Sequence, residues 1–193
     1  MRIIIYIGIF GLMMIGCMPQ QNLVYTQTTV FHSLQSSLNG ISYAIIPNKD
    51  QESSLEYKAY ANAIKTKLNQ FGMIETEANS AVFKVSFIFG IDNGREIESS
   101  VPIFGQNGTS SFAVIGSASS SDTIYKRILN IDIFDSRNIK DGIIQKVYEG
   151  KSLSEGHSNS LAEVVPSMIE CAFYNFPVIN GSKQNCTAPL KPH

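Results

Sequence analysis

Ser53-Ser54-Leu55-Glu56-Tyr57-Lys58-Ala59-Tyr60-Ala61-Asn62-Ala63-Ile64-Lys65-Thr66-Lys67-Leu68-Asn69-Gln70-Phe71-Gly72 is followed, after a short link, by Ala81-Val82-Phe83-Lys84-Val85-Ser86-Phe87-Ile88-Phe89-Gly90. The first stretch predicts a helix. Ser53 and Glu56 have the spacing of a capping box, which satisfies free backbone donors at a helix start. Leu55, Ala59, Ala63, Ile64, Leu68 and Phe71 fall on one helical stripe. Lys58, Lys65 and Lys67 lie off it, and Gly72 is placed to end the helix. The second stretch predicts a strand, with Phe83, Val85, Phe87 and Phe89 on one face and Lys84 and Ser86 on the other.

Upstream of the helix, Gly40 precedes an apolar strand, Ile41 to Ile46, stopped by Pro47. Residues 18–39 read as a polar lead that becomes ordered near Thr28. Downstream, residues 91–122 are the least regular part, with four glycines and a serine-rich run at 117–121. Two apolar pieces stand inside it, Val101 to Phe104 and Phe112 to Ile115. They suggest a hairpin projecting from the domain; a mobile serine run and a fold back into the sheet are the alternatives. Ile124 to Phe134 reads as a longer strand broken at Asp135-Ser136-Arg137-Asn138, with Ile143 to Ser152 as its hairpin partner. Ser160-Leu161-Ala162-Glu163 offers a second capping box. Leu161, Val165, Met168, Ala172 and Phe176 then repeat at helical spacing until Pro177. The tail 178–193 reads as an irregular cover. These elements predict an α+β, two-layer sandwich in β-α-β-β-β-α order. One mixed or antiparallel sheet would carry two helices on one face.

The chain has 193 residues, 15 Lys+Arg and 16 Asp+Glu. That near balance, with no long single-sign run, argues against a nucleic-acid partner and against a polybasic membrane patch. The N-terminus is different in kind. One cation, Arg2, precedes an apolar run from Ile3 to Ile15, and Gly16 then precedes Cys17. A short basic start, a short apolar core and a small residue describe an export signal. As a helix, 14 residues would reach roughly 21 Å at about 1.5 Å per residue, short of a hydrocarbon core about 30 Å thick. The segment resembles a bacterial lipoprotein signal cut between Gly16 and Cys17. That resemblance implies an acylated Cys17 and a membrane anchor, since two acyl chains hold stably where one does not. Met18 in place of Asp resembles the enterobacterial pattern that sorts to the outer membrane, periplasmic side. The expected organisation is a signal at 1–16, a lipidated tether at 17–39, and one periplasmic domain at 40–193 with an insertion at 91–122. With Cys17 assigned to lipid, Cys171 and Cys186 remain as a pair, and an oxidising compartment predicts a disulfide between them.

The strand Ile41 to Pro47, the helix end Leu68-Asn69-Gln70-Phe71-Gly72, the strand Ala81 to Gly90 and the final helix entering Phe176-Pro177 carry a resemblance over residues 40–177. With the lipoprotein cysteine, they resemble an uncharacterised bacterial lipoprotein family catalogued as domain of unknown function 4136. The family's motifs are fold motifs and imply no catalytic set. Fold likeness alone does not fix function.

Catalytic patterns in the chain are incomplete. Gly156-His157-Ser158-Asn159-Ser160 resembles the G-x-S-x-G elbow that exposes a nucleophilic serine, but Ser160 replaces the last glycine. Only His193 follows it as a histidine. The expected role is a loop with a helix cap at Ser158 or Ser160. Gly150-Lys151-Ser152 lacks the upstream glycine of a P-loop. Asp92-Asn93-Gly94 lacks the rest of a calcium loop and reads as a turn. Asp132 and Asp135 read as surface groups. The tyrosines at 43, 57, 60, 125, 148 and 174 read as scattered core or rim packing. No metal site or cofactor is expected, because His32, His157 and His193 lack ligand spacing to the cysteines. Val101, Ile103, Phe104, Phe112 and Val114 would make a partner surface if the hairpin is exposed. The expectation is a lipid-anchored, non-enzymatic envelope protein that binds another envelope component. A structural subunit of a larger envelope or secretion complex, and an envelope hydrolase using Ser158, are the other readings.

Overall fold

Burial alternates along the second decisive stretch as its pattern requires: Phe83, Val85 and Phe87 are buried while Lys84 and Ser86 are not. The structure is a computed structural model. It describes residues 22–34, 37–48, 51–107, 111–140 and 143–190, with the side chains of residues 99, 101–107 and 111–116 left out of that description. The described elements are β1 (Leu23–His32), β2 (Ser42–Ile45), α1 (Leu55–Gln70), β3 (Ile74–Glu75), β4 (Phe83–Ile91), β5 (Arg95–Asn107), β6 (Ser111–Lys140), β7 (Ile143–Gly156), α2 (Leu161–Ala172) and β8 (Ser182–Pro189).

The architecture is α+β, with a mixed sheet of order β3-β2-β4-β6-β7-β1-β8 and β5 paired to β6 off that path. β2 runs parallel to β3 and β4, and the other pairs are antiparallel. Both helices share one core with the inward residues of β1, β4, β6 and β7. The element order departs from the expected one at both ends. Residues 23–32, read as tether, form β1, with Val24, Thr26, Thr28 and Val30 buried. Residues 182–189, read as irregular cover, form β8 on the edge next to it. Threonine alternating with valine on the inward side hid β1, and the inward positions of β8 are the mixed set Ser182, Gln184, Cys186 and Ala188 rather than an apolar alternation. Asp135 to Asn138 does not end β6 either. The strand continues to Lys140 through a register shift against β7, and Arg137 closes a bidentate pair on Asp135 (Nε–Oδ1 2.9 Å, Nη2–Oδ2 2.8 Å).

The helix α1 exists as expected, but a different stripe is buried. Leu55 is 81% exposed and Ala59 is exposed, whereas Tyr57, Tyr60, Ala61, Ile64 and Leu68 face the core. That set also has helical spacing. Two tyrosines decide its direction, because Tyr57 stacks on Phe87 with ring centres 4.4 Å apart and Tyr60 meets Phe89 edge-on at 4.8 Å. The cap shifts by one residue: Ser54, not Ser53, accepts the Tyr57 N–H at 3.1 Å. Glu56 does not reach back to complete a box and instead accepts from the Tyr60 hydroxyl at 2.7 Å. Gly72 follows the helix with φ +79°, and an added Cβ there would lie 2.3 Å from Asn39 Oδ1. In α2, Ser160 is the N-cap but its side chain makes no cap bond, so the second expected box does not form. Pro166 stands inside that helix.

Cys171 and Cys186 are joined by a disulfide with Cα atoms 5.4 Å apart. It ties the end of α2 to the edge strand β8. With 15 residues of sequence separation, the chain-entropy argument gives about 3 kcal/mol. Cys186→Ser is expected to lower the unfolding free energy by about that amount, read as a lower urea midpoint than that of the oxidised parent. Equal midpoints for the two proteins would remove the bridge from the account of stability.

The last feature is an arm. Pairing of β4 with β6 stops at Ile91 opposite Arg127, and pairing of β7 stops at Gly156 opposite Tyr125. Beyond that point β6 pairs with β5 alone among the described residues, from Arg95 opposite Ile124 to Asn107 opposite Ser111. Thirteen residues of β5 give a two-stranded ribbon roughly 40 Å long at about 3.3 Å per residue. A register shift at Ile103/Phe104 bends it. The backbone therefore takes the projecting-hairpin alternative, and the serine-rich run is part of β6.

Candidate functional site

The loop singled out by the sequence leaves β7 at Gly156 and enters α2 at Leu161. Ser158 is not presented as a nucleophile. Its Oγ donates to Glu163 Oε2 at 3.0 Å and accepts the Ser160 N–H at 3.2 Å, so both of its roles are taken by the turn that starts α2. His157 is exposed and makes no hydrogen bond to Ser158. The loop behaves as the expected turn, with Ser158 in place of Ser160 as the working hydroxyl.

The notable group beside this loop is one that the sequence reading passed over. Arg127 on β6 is only 3% exposed. Its Nη1 donates to the Ser158 carbonyl and its Nη2 to Ser154 Oγ, both at 3.0 Å. Its Nε has no partner. A buried guanidinium normally sits against a carboxylate, because removing a charge from water is costly unless it is paired. Here the partners are neutral oxygens. Burial pulls the guanidinium pKa below its usual value, opposed more weakly by the Asp92 and Glu155 charges. Neighbouring strands continue the polar theme: Ser154 pairs with Arg127 on one side and Thr26 on the other. Thr26 Oγ1 is likewise buried without a partner, and Thr28 and Ser152 share a buried bond at 2.9 Å. Arg127 lines a cavity of about 260 Å³ with Leu23, Val24, His157, Ser158 and Leu190. Gly156 leaves room for the guanidinium, since a Cβ there would lie 3.0 Å from Nη2.

These strands and helices lie within a single matched span. Residues 22–178 match the family described as Domain of unknown function (DUF4136). The chain belongs to this family. The family span opens at the first residue of the cavity lining, Asn22, and includes Arg127 and the Ser158 loop, while β8 and Cys186 lie beyond it. No curated protein matches the chain. Among solved structures, a PDZ domain protein from Parabacteroides distasonis matches with a TM-score of 0.51 at 12% identity, over 86% of this chain and 39% of that one. The chain thus spans about two fifths of that protein's length, and the likeness is one of fold. A PelC dodecamer from Paraburkholderia phytofirmans matches with a TM-score of 0.40 at 10% identity, over 76% of this chain and 94% of that one.

Other residues raised by the sequence do not gather at this site. Lys151 and Ser152 lie within β7, and Ser152 is occupied by Thr28. Asp92 Oδ1 accepts the N–H groups of Gly94 (3.0 Å) and Lys126 (2.9 Å), closing a turn at the base of the arm. Those backbone donors hold its carboxyl below the usual carboxylate range. Asp132 pairs with Lys146 at 2.9 Å. The His32 ring is held by the Leu34 N–H and the Val178 carbonyl. Among the described residues, no group of three His, Cys, Asp or Glu side chains could hold a metal. Among the same residues, no helix is long and apolar enough to cross a membrane. Gly16, Cys17 and His193 lie outside the described residues. Val101, Ile103, Phe104, Phe112 and Val114 sit in the arm's backbone ladder, with Val101 opposite Ala118 and Phe104 opposite Val114. Their side chains are outside the description.

Proposed function

We propose that the chain is a lipoprotein of the bacterial envelope, anchored through acylated Cys17 to the outer membrane on its periplasmic side, and that it binds another envelope protein without catalysing a reaction. The signal-like N-terminus motivates the anchor, and the Cys171–Cys186 disulfide suits an oxidising compartment. The binding reading is carried by the arm. Between Arg95 and Ser100 on β5, and between Ser117 and Asp122 on β6, every described side chain is exposed. No third strand covers either edge among the described residues. A two-stranded ribbon is marginal in water by itself, and its open edges offer a row of unpaired backbone groups that a partner strand can take up. The apolar residues that the sequence places at 101–104 and 112–114 lie along the same ladder. The geometry at Ser158 favours binding over hydrolysis, since that hydroxyl is spent on the start of α2.

The test places a photoreactive amino acid at Ser119 on the arm and, as a control, at Asn62 on the exposed side of α1, in intact cells with Cys17 retained. A discrete protein adduct from Ser119 and none from Asn62 is expected in the membrane fraction. Absence of any adduct from Ser119 would overturn the binding reading.

A further inference from the structure

We infer that Arg127, together with the first turn of α2, forms a binding site for a phosphate group. Three observations meet at the cavity lined by Arg127, His157 and Ser158. First, the guanidinium is buried and has no carboxylate among its hydrogen-bond partners, the Asp92 and Glu155 charges acting on it only from a distance. Of its five N–H donors, two are spent on Ser158 O and Ser154 Oγ, which leaves three, Nε–H among them. Second, α2 begins next to the cavity with no side-chain cap bond from Ser160, and Val164 of its first turn is part of the lining. Free amides and the positive end of the helix favour an anion. The nearest acidic side chain of that turn, Glu163, is engaged by Ser158 Oγ. Third, the backbone opposite the guanidinium is Gly156, where a Cβ would lie 3.0 Å from Nη2 and 3.4 Å from Nη1. An anion entering the cavity would approach the remaining Nη donors and neutralise a charge that makes no ion pair within the fold. Charge-assisted bonds of this kind are about twice as strong as neutral ones.

The position of the cavity bears on the source of the phosphate. Its lining includes Asn22 and Leu23 at the start of β1. Asn22 lies five positions after Cys17 (22 − 17), and five residue steps reach at most about 18 Å at roughly 3.3–3.6 Å each. If Cys17 is acylated, as proposed above, the cavity lies within reach of phospholipid headgroups. The source assignment rests on that anchor; the phosphate site does not.

The full chain in non-ionic detergent is titrated with inorganic phosphate against chloride at constant ionic strength, and separately with micelles doped with phosphatidylglycerol. The readout is the Arg127 Nε–Hε resonance, with the thermal midpoint beside it. A saturable shift of that resonance with phosphate supports a site open to free anion, and a shift with doped micelles alone supports a headgroup site. Mass spectrometry of Cys17 reports the anchor independently. Arg127→Lys is expected to weaken binding by about tenfold, as the planar donor set is lost. Gly156→Ala keeps the charge but displaces the guanidinium, and should weaken it too. An Arg127 resonance unmoved by either probe in the parent protein overturns the site, whatever the variants do.

Discussion

A chain shortened to begin at Gly40 is expected to lose its cooperative unfolding transition, whereas one beginning at Asn22 keeps it. The sequence pattern alone places the domain boundary at residue 40, so the experiment separates the two readings. β1 lies between β7 and β8, with seven partner pairs on one side and eight on the other. Removing it strips β7 of its neighbour and leaves β8 attached to the body chiefly through the disulfide to α2. Val24 and Val30 are 3% and 0% exposed. At about 1.5–3 kcal/mol for each buried side chain, those two alone account for roughly 3–6 kcal/mol. A small domain has a total of about 5–15 kcal/mol. The Tyr148 ring, which lies beside His32, would lose that neighbour as well. Thermal melting followed by circular dichroism decides the matter. A Gly40 chain that melts cooperatively, within a few degrees of the Asn22 chain, would show that β1 is an accessory strand.

How much of this was legible follows from what each residue does. β4 was readable because its inward face is Phe83, Val85, Phe87 and Phe89, an unbroken apolar alternation. β1 was not, because Thr26 and Thr28 occupy inward positions and a hydroxyl scores as polar even when the fold buries it. The two boxes read at Ser53 and Ser160 show the same limit at smaller scale. Two hydroxyls stand within three residues of each helix start, and packing chooses Ser54 in one case and diverts Ser158 in the other. Arg127 did leave a signal. On the strand Ile124 to Phe134 it shares parity with Leu129, Ile131 and Ile133, all buried, so it is the one charge on the apolar face of a well-read strand. Its burial was predictable from alternation. Its lack of a carboxylate partner was not, since that depends on Ser154, Ser158 and Gly156 arriving from another strand and the loop after it. The arm's pairing was half legible: its apolar pieces and turn glycines marked a hairpin, but a continuous β6 through the serine-rich run has no local signature.

The tyrosines between α1 and the sheet, Tyr57 and Tyr60 on the helix and Tyr43 on β2, give the sharpest energetic test, because the same residue type sits in three different hydrogen-bonding situations. Tyr43 donates to Asn69 Oδ1 at 2.9 Å and to the Lys65 carbonyl at 3.3 Å, and Tyr60 donates to Glu56. Tyr57 is 4% exposed, its ring lies flat on Phe87 with 3° between the planes, and its hydroxyl has no partner. Burial pushes that phenol up to about 12, consistent with a hydroxyl held away from water. Tyr57→Ala removes the stacked ring from the interface of α1 and β4 and is expected to cost about 3–5 kcal/mol, as aromatic truncations in cores do. Tyr57→Phe should instead be neutral or stabilising by up to about 1 kcal/mol, because it deletes an unmatched buried hydroxyl and keeps the ring. Tyr43→Phe should cost roughly 1 kcal/mol, since it strips Asn69 of a donor. Urea unfolding of the three variants checks the order. The decisive comparison is between the two phenylalanine variants: equal losses would mean that the Tyr57 hydroxyl is paired in solution, and that α1 is fixed on the sheet by hydrogen bonding as much as by the contact between two rings.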